Sequence, residues 1–497
     1  MKNIVFRSVQ PTLFLNRAPR PFAAASIQNL RLILALFPIA FLLLTGCKKW
    51  DEKLDIAQAV VQVAQPISDA APLCGAIKGT MLSGKTYTIG CDVTINPGDT
   101  LKIQAGAHIN VTNKSGIFVQ GALISLGTQT APVWITVDSL QKLRNDAPNQ
   151  DPSTDPAFSG GWAGIYCAST CPMLILKWTH VEFGGSGLSI AQGALVNQSA
   201  GQAYSILFQN TNGIFVMEDS WLYGGVDDPI RISNGKICFI RNTFEKAGAK
   251  GGDCLNCKGG TVGDMAYNLF VGVATNGQKA SNKGQPVGAP QTNIHMWNNT
   301  FISCGYRQIQ TGRGANIDVE EGARALAYNN LMVNCKFGLR IVNNPAADTA
   351  NTRYGNNYEY GDSLSVVNQI YPTNASLSGG WTNPQLTDIP DYRTFLPANY
   401  TYGETYDGTP VLQKNNPLFY NFPLPVPNQV PLRGIQAVGS YDFRLQAGSP
   451  AIGKGYTSFA PLAAVPIDPV YGVTELTPPG IDIGAFQSNG KGNQHHP

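Results

Sequence analysis

Apolar and polar residues alternate along this chain in short runs. Leu101/Ile103, Ile109/Val111, Ile117/Val119 and Val133/Ile135/Val137 are such runs, separated by Asn96-Pro97-Gly98-Asp99, Gln104-Ala105-Gly106 and Gln120-Gly121. Period-two patterning ended by Gly, Pro or Asn predicts short strands joined by tight turns. Farther on the pattern becomes a repeat. Asn242-Thr243-Phe244, Asn268-Leu269-Phe270, Asn299-Thr300-Phe301 and Asn330-Leu331-Met332 share one form, and Asp219-Ser220-Trp221 is a looser copy. From 219 the spacings are 23, 26, 31 and 31 residues. A polar side chain followed two residues later by a large apolar one, at this interval, predicts a solenoid of stacked coils. Amides would ladder at the turns and aromatic rings would stack in the core.

The expected organisation is all-β. A solenoid occupies 73–342 with an N-terminal cap at 73–92, and excursions leave the coil at 138–160 and 188–203. A loop-rich continuation follows over 343–440, where the repeat fades. A closing coil spans 441–487, and 488–497 form a loose tail. Composition changes this picture little. Charged residues make up 13% of the chain, about half the ~25% usual in globular proteins, and 53 glycines suit a turn-rich fold. The formal charge of +3 comes with no clustered basic stripe, so no nucleic-acid partner is expected.

Residues 1–46 read as a targeting segment. Arg7, Arg17, Arg20 and Arg31 lead into an apolar run at 32–44, shorter than the ~20 residues of a membrane span. Leu44-Thr45-Gly46-Cys47 closes it and resembles the bacterial lipoprotein box. That resemblance implies cleavage before Cys47, a lipid on its thiol and a membrane contact through the anchor. Lys48-Lys49-Trp50-Asp51-Glu52 resembles the signal that places Bacteroidetes lipoproteins on the outer face of the outer membrane, and 47–72 would be a tether. Asp99-Thr100-Leu101, Asp138-Ser139-Leu140 and Asp362-Ser363-Leu364 resemble O-glycosylation triplets of such exported proteins. In that compartment the other cysteines are expected as disulfides or small buried groups. Candidate pairs are Cys74 with Cys91, Cys167 with Cys171, and Cys304 with Cys335, which stand one repeat apart. The Cys254/Cys257 pair has no second CxxC and no nearby His, so zinc is not expected there.

"INPGDTLKIQAGAHINV", "IFVQGALISLGTQTAPVWITV", "GGWAGIY" and "LKWTHVEFGGSG" together resemble the opening coils of bacterial right-handed parallel β-helix surface proteins, in the pectin-lyase-like fold. "DFRLQAGSPAIGKG" and "DIGAFQ" look like the closing coil of many such proteins. The resemblance implies a fold and leaves the activity open.

Residues Gly79 to Thr86 match the nucleotide-binding GxxxxGK[ST] pattern letter for letter. Strand residues Tyr87-Thr88-Ile89 follow where a phosphate-binding helix is needed, so no nucleotide is expected. His108, His180 and His295 stand alone in strand-like contexts. The informative column precedes each Asn-x-Phe turn. With Ile230/Ile232, Leu255/Cys257 and Ile317/Val319 inward, alternation turns Arg231/Ser233, Asn256/Lys258 and Asp318/Glu320 outward on one face. Asp227, Asp228 and Asp253 stand beside them. "GDCLNCKGG" followed by "NLF" resembles the alginate lyase and chondroitinase B family, in which an acidic residue precedes a catalytic Lys by five positions. Asp253 and Lys258 keep that spacing. Lys279-Ala280-Ser281 stands where the family has Arg-His-Gly, and Gly251 replaces one acidic residue. The resemblance implies Lys258, Lys279 and Arg231 as catalytic groups. It also implies Asp227, Asp228, Asp253, Asp318 and Glu320 as ligands of a Ca²⁺ that neutralises a uronate. The competing reading is a solvated polar face. Asp227-Asp228 also resembles the paired aspartates of polygalacturonases, but that family's His-Gly and Arg-x-Lys are missing. The sequence therefore points to a lipid-anchored surface protein that binds or scaffolds a glycan. A Ca²⁺-dependent polysaccharide lyase and an adhesive stalk are the alternatives.

Overall fold

The computed structural model describes residues 66–143, 152–310, 313–342, 345–361, 416–424 and 438–493. The leader, Cys47, the tether as far as residue 65, the Asp362 triplet and most of 343–440 lie outside the described residues.

Each coil carries three strands. One runs Gly235–Ile240, Thr243–Glu245, Leu255–Cys257, and the next begins at Thr261–Ala266. First strands stack into a ten-stranded sheet, face A, from Gly79–Met81 to Arg353–Gly355. Second and third strands form faces B and C. The long strand Thr86–Ile95 turns the corner between them, pairing first with His108–Val111 and then with Gly116–Val119, so they count as one 19-stranded sheet. Pairing between successive coils is parallel on all three faces, as in a β-helix solenoid.

The corner from face A to face B explains the sequence repeat. Trp178, Asp219, Arg241, Tyr267, Asn298, Asn329 and Asn356 have φ between 48° and 60°, a left-handed step that turns the chain in one residue. The next residue supplies the ladder. Asn242, Asn268, Asn299 and Asn330 each donate from Nδ2 to the Oδ1 of the next rung at 2.9–3.0 Å, ending on Asn357. Inside, Phe244, Phe270 and Phe301 stack with centroids 4.9 and 4.6 Å apart, the spacing of neighbouring strands.

Two register expectations are corrected. Trp221 pairs with Thr243, so Ser220 rather than Asp219 occupies the ladder position; its backbone N–H donates to Asn242 Oδ1 at 2.9 Å. Trp221 therefore points outward, stacked on His180, and Leu222 takes the core position beside Phe244. The solenoid also runs one coil past residue 342, through Arg353–Gly355 and Tyr358–Tyr360. Its repeat is masked because Glu359 replaces the ring in the core column.

The segment expected to close the last coil does something else. Phe419–Asn421 and Asp442–Leu445 form a separate antiparallel pair. Phe419, Phe422, Val438, Phe443, Ile483 and Phe486 pack onto the outer side of face B, over Leu269, Val271, Ile302, Leu331 and Val333. Those outward positions are apolar and require cover. The same segment straps the A–B corner. Asp264 accepts from Leu462 and Ala463 N–H, Glu218 from Thr474 N–H, and Asn298 donates to Asp482 O. The tail is held in part, because Asn493 donates to Asn242 O and Tyr267 O.

Cys74 and Cys91 are joined as a disulfide. Cys167, Cys171, Cys304 and Cys335 are buried free thiols, against the expected pairings. Cys304 and Cys335 do lie one above the other, but each thiol lies within reach of one carbonyl of the preceding coil and one of its own strand, Cys304 of Phe270 O and Ile302 O, Cys335 of Phe301 O and Val333 O.

Candidate functional site

The outward column of face C changes character along the solenoid. In register it reads Thr94, Phe118, Tyr166, Leu207, Arg231, Asn256, Lys279, Asp318, Arg340. The first part is apolar because the 188–204 excursion covers it. Helix Ile190–Leu195, entered through a Ser189/Gln192 capping box, holds Leu188, Val196 and Tyr204 against Phe118, Tyr166 and Leu207. The cover stops at Tyr204, whose ring lies 5.7 Å from the Arg231 guanidinium. From there the column is polar, charged at every rung but that of Asn256.

Period-two alternation brings the sequence-predicted residues together. Arg231 donates to Asp228 Oδ2 at 3.1 Å. Asn256 Nδ2 bridges Asp228 and Asp253 at 2.7 and 3.1 Å, and Asn276 Nδ2 donates to Asp253 Oδ1 at 2.7 Å. Lys279 Nζ stands 2.8 Å from Glu320 Oε1, 3.5 Å from Asp253 Oδ2 and 3.8 Å from Asp318 Oδ2. Lys258 Nζ approaches Glu320 from two rungs away at 3.8 Å. Asp227 is exposed at the rim. The sequence reading missed Arg340, whose Nε lies 3.3 Å from Asp318 Oδ1; its signal was the Leu339-Arg340-Ile341 alternation, the same as Ile230-Arg231-Ile232.

Burial and neighbouring charge divide these groups. Burial, then the Asp253 and Asp227 charges, push the Asp228 carboxyl up to about 6. Burial raises Asp318 to about 6 in spite of Arg340. Burial also opposes the charge of Glu320, yet Lys279 and Lys258 hold it below the usual carboxylate range. Lys279 loses solvation on burial, but Asp253, Asp318 and Glu320 outweigh that and raise it. Lys258 goes the other way: burial and the Lys279 charge depress it, and Glu320 offsets this only in part. Of the two lysines, Lys258 is the one whose surroundings weaken its hold on a proton.

The expected Ca²⁺ does not fit the residues present. Among the described residues no group of three or more His, Cys, Asp and Glu side chains stands as a metal cage. The carboxylates are already engaged, Asp228 by Arg231 and Asn256, Asp318 by Arg340 and Lys279, Glu320 by Lys279 and Lys258.

The other motifs carry no comparable geometry. The GxxxxGK[ST] stretch is strand Gly79–Met81, a turn, and strand Thr86–Ile95, with no helix to present amides to a phosphate. On face B, Trp134, His180 and Trp221 stack at 3.8 and 5.8 Å nearly parallel, so their ring faces meet one another.

Fold and site together define a class: an all-β parallel solenoid with an ion-pair ladder on one outer face. Comparison of the chain with protein-family models, with characterised proteins and with solved structures returns no match.

Proposed function

We propose that this is an exported, right-handed β-helix protein, anchored to the outer membrane by a lipid on Cys47, that binds an acidic polysaccharide along face C. The observation that carries the reading is the set of cations on one face, Arg231, Lys258 and Lys279 on three successive rungs and Arg340 two rungs beyond Lys279, past the rung of Asp318 and Glu320, with ~4.8 Å between stacked strands. A uronate chain repeats its own negative charges and meets such a run with several weak contacts at once. Arg231 is the most accessible of the four, its side chain 28% exposed, and it holds the end of the ladder beside Tyr204.

Affinity electrophoresis through gels containing polygalacturonate, alginate or chondroitin sulfate tests the reading. Wild-type protein is expected to be retarded in at least one gel, less so at high salt. Arg231→Ala, losing a charge-assisted contact of ~1.5–3 kcal/mol, should bind roughly tenfold or more weakly. Unchanged mobility in every gel rejects glycan binding and leaves the stalk.

The depressed Lys258 favours one extension, β-elimination on the bound uronate. Lys258, in its unprotonated form, takes the proton α to the carboxylate, Arg231 faces that carboxylate, and the C4–oxygen bond to the departing sugar breaks, its oxygen taking a proton from water and leaving an unsaturated product. Ultraviolet absorbance of that product should grow with wild type and vanish with Lys258→Ala. No growth on any of the three polymers removes the lyase reading and leaves the binding one standing.

A further inference from the structure

Asp253, Asp318 and Glu320 come from rungs on either side of the strand Gln278–Ser281, yet all three face the same point. The Lys279 ammonium fills it, 2.8 to 3.8 Å from an oxygen of each. Arg340 and Lys258 attend Asp318 and Glu320 from beyond the cage, so the cluster has as many cations as carboxylates. Oxygen is in surplus around it. Asn256 and Asn276, each 3% exposed, spend their amide nitrogens on the same carboxylates and keep Oδ1 atoms without a hydrogen-bond partner. Carboxylate oxygens gathered about one point, with unpartnered amide oxygens on the side chains that bond to them, are donors of the kind a hard divalent cation takes, six to eight oxygens at roughly 2.3–2.6 Å.

We infer that Lys279 is a tethered cation standing where a divalent ion would otherwise be held. Face C therefore works without metal, and removing the Lys279 amine opens an oxygen cage that takes up Ca²⁺. The physical reason is competition. The ammonium is delivered by its own strand at a high effective concentration. An ion entering from solution would have to expel it and leave a buried positive charge without partners. Without the amine the balance reverses, because the three carboxylates are then matched by only two cations, Arg340 and Lys258, and the excess negative charge draws in a cation that fits.

The test uses the full chain and Ca²⁺ itself, read by isothermal titration and thermal unfolding. Wild type and Lys279→Arg are expected to show no saturable Ca²⁺ uptake and melting points indifferent to Ca²⁺ or chelator. Lys279→Ala should melt lower than wild type in chelator and bind Ca²⁺ saturably. At a hundredfold excess over Kd the ion raises its folded-to-unfolded ratio about a hundredfold (~2.7 kcal/mol). Adding Asp318→Asn to Lys279→Ala should abolish the uptake. Saturable Ca²⁺ binding by wild type that is lost in Glu320→Gln overturns the inference, as does a folded Lys279→Ala indifferent to Ca²⁺. Should Lys279→Ala not fold alone, refolding yield with and without Ca²⁺ is the readout, and a yield unaffected by Ca²⁺ overturns the inference equally. None of these measurements involves a glycan, so they stand apart from the fate of the binding proposal.

Discussion

Replacing Asn299 by Ala removes one rung of the amide ladder, and the bonds around it set the cost. Asn299 is fully buried. Its Oδ1 accepts from Asn268 N and Nδ2, both at 3.0 Å, and its Nδ2 donates to Met265 O at 3.1 Å and Asn330 Oδ1 at 2.9 Å. Two losses are partly made good: Asn268 Nδ2 still reaches Phe239 O, and Asn330 Oδ1 still accepts from Asn299 N. The Asn268 N–H loses its acceptor outright, and a buried amide without one costs ~1–3 kcal/mol. With the Met265 bond at ~1 kcal/mol and the two partly replaced bonds at about half that each, the substitution should cost about 3–5 kcal/mol. Solenoids open locally as well as globally. The assays are therefore native-state hydrogen exchange, with amides of the coils on both sides losing protection, and urea unfolding beside Asn351→Ala. Asn351 bonds Asp348 at the surface, and its loss should stay within ~0.5 kcal/mol. If the two variants unfold alike, the amide ladder does not hold the coils together.

The other predictions concern groups outside face C. Burial pushes Asp264 up to about 6 although Leu462 and Ala463 N–H both donate to it, so the folded chain holds this proton more tightly than the unfolded one. Its contribution is complete below the ordinary carboxyl range near 3.9 and is lost as pH rises through about 6, a fall of ~3 kcal/mol. Urea midpoints measured across that range should flatten in Asp264→Asn, and a wild-type profile that is already flat contradicts the assignment. The Lys246–Asp155 pair, 3.0 Å apart with both side chains fully buried, predicts that Asp155→Ala lowers stability by ~3–5 kcal/mol. Adding Lys246→Met should recover much of the loss in thermal unfolding, because no ammonium is then left stranded.

Much of face C was legible because it rests on geometry common to every strand. Ile230-Arg231-Ile232 and Ile317-Asp318-Val319 place the middle side chain outward whatever surrounds them, and a constant rung spacing stacks the copies. Where the reading slipped, a choice between neighbours was left to the tertiary structure. Asp219 and Ser220 are both polar, and only the pairing of Trp221 with Thr243 shows which of them joins the ladder. Cys304 and Cys335 are one repeat apart, yet stacked rungs let each thiol use backbone carbonyls and remain unbonded.

By itself, then, the sequence determined the strands, the coil repeat, the Asn ladder and the outward cations and carboxylates of face C other than Arg340. Each follows from the period-two backbone and a residue's chemistry, and neither depends on distant contacts. Only the tertiary structure decided that Lys279 sits at the centre of three carboxylates, that the 188–204 excursion ends at Tyr204 beside Arg231, and that the C-terminal segment covers face B. The reason is loop length. Rungs adjacent in space are separated by connections of different size, as the repeat spacings of 23 to 31 residues show. Which charges meet across them is settled by the stacking of whole coils, which local pattern does not encode.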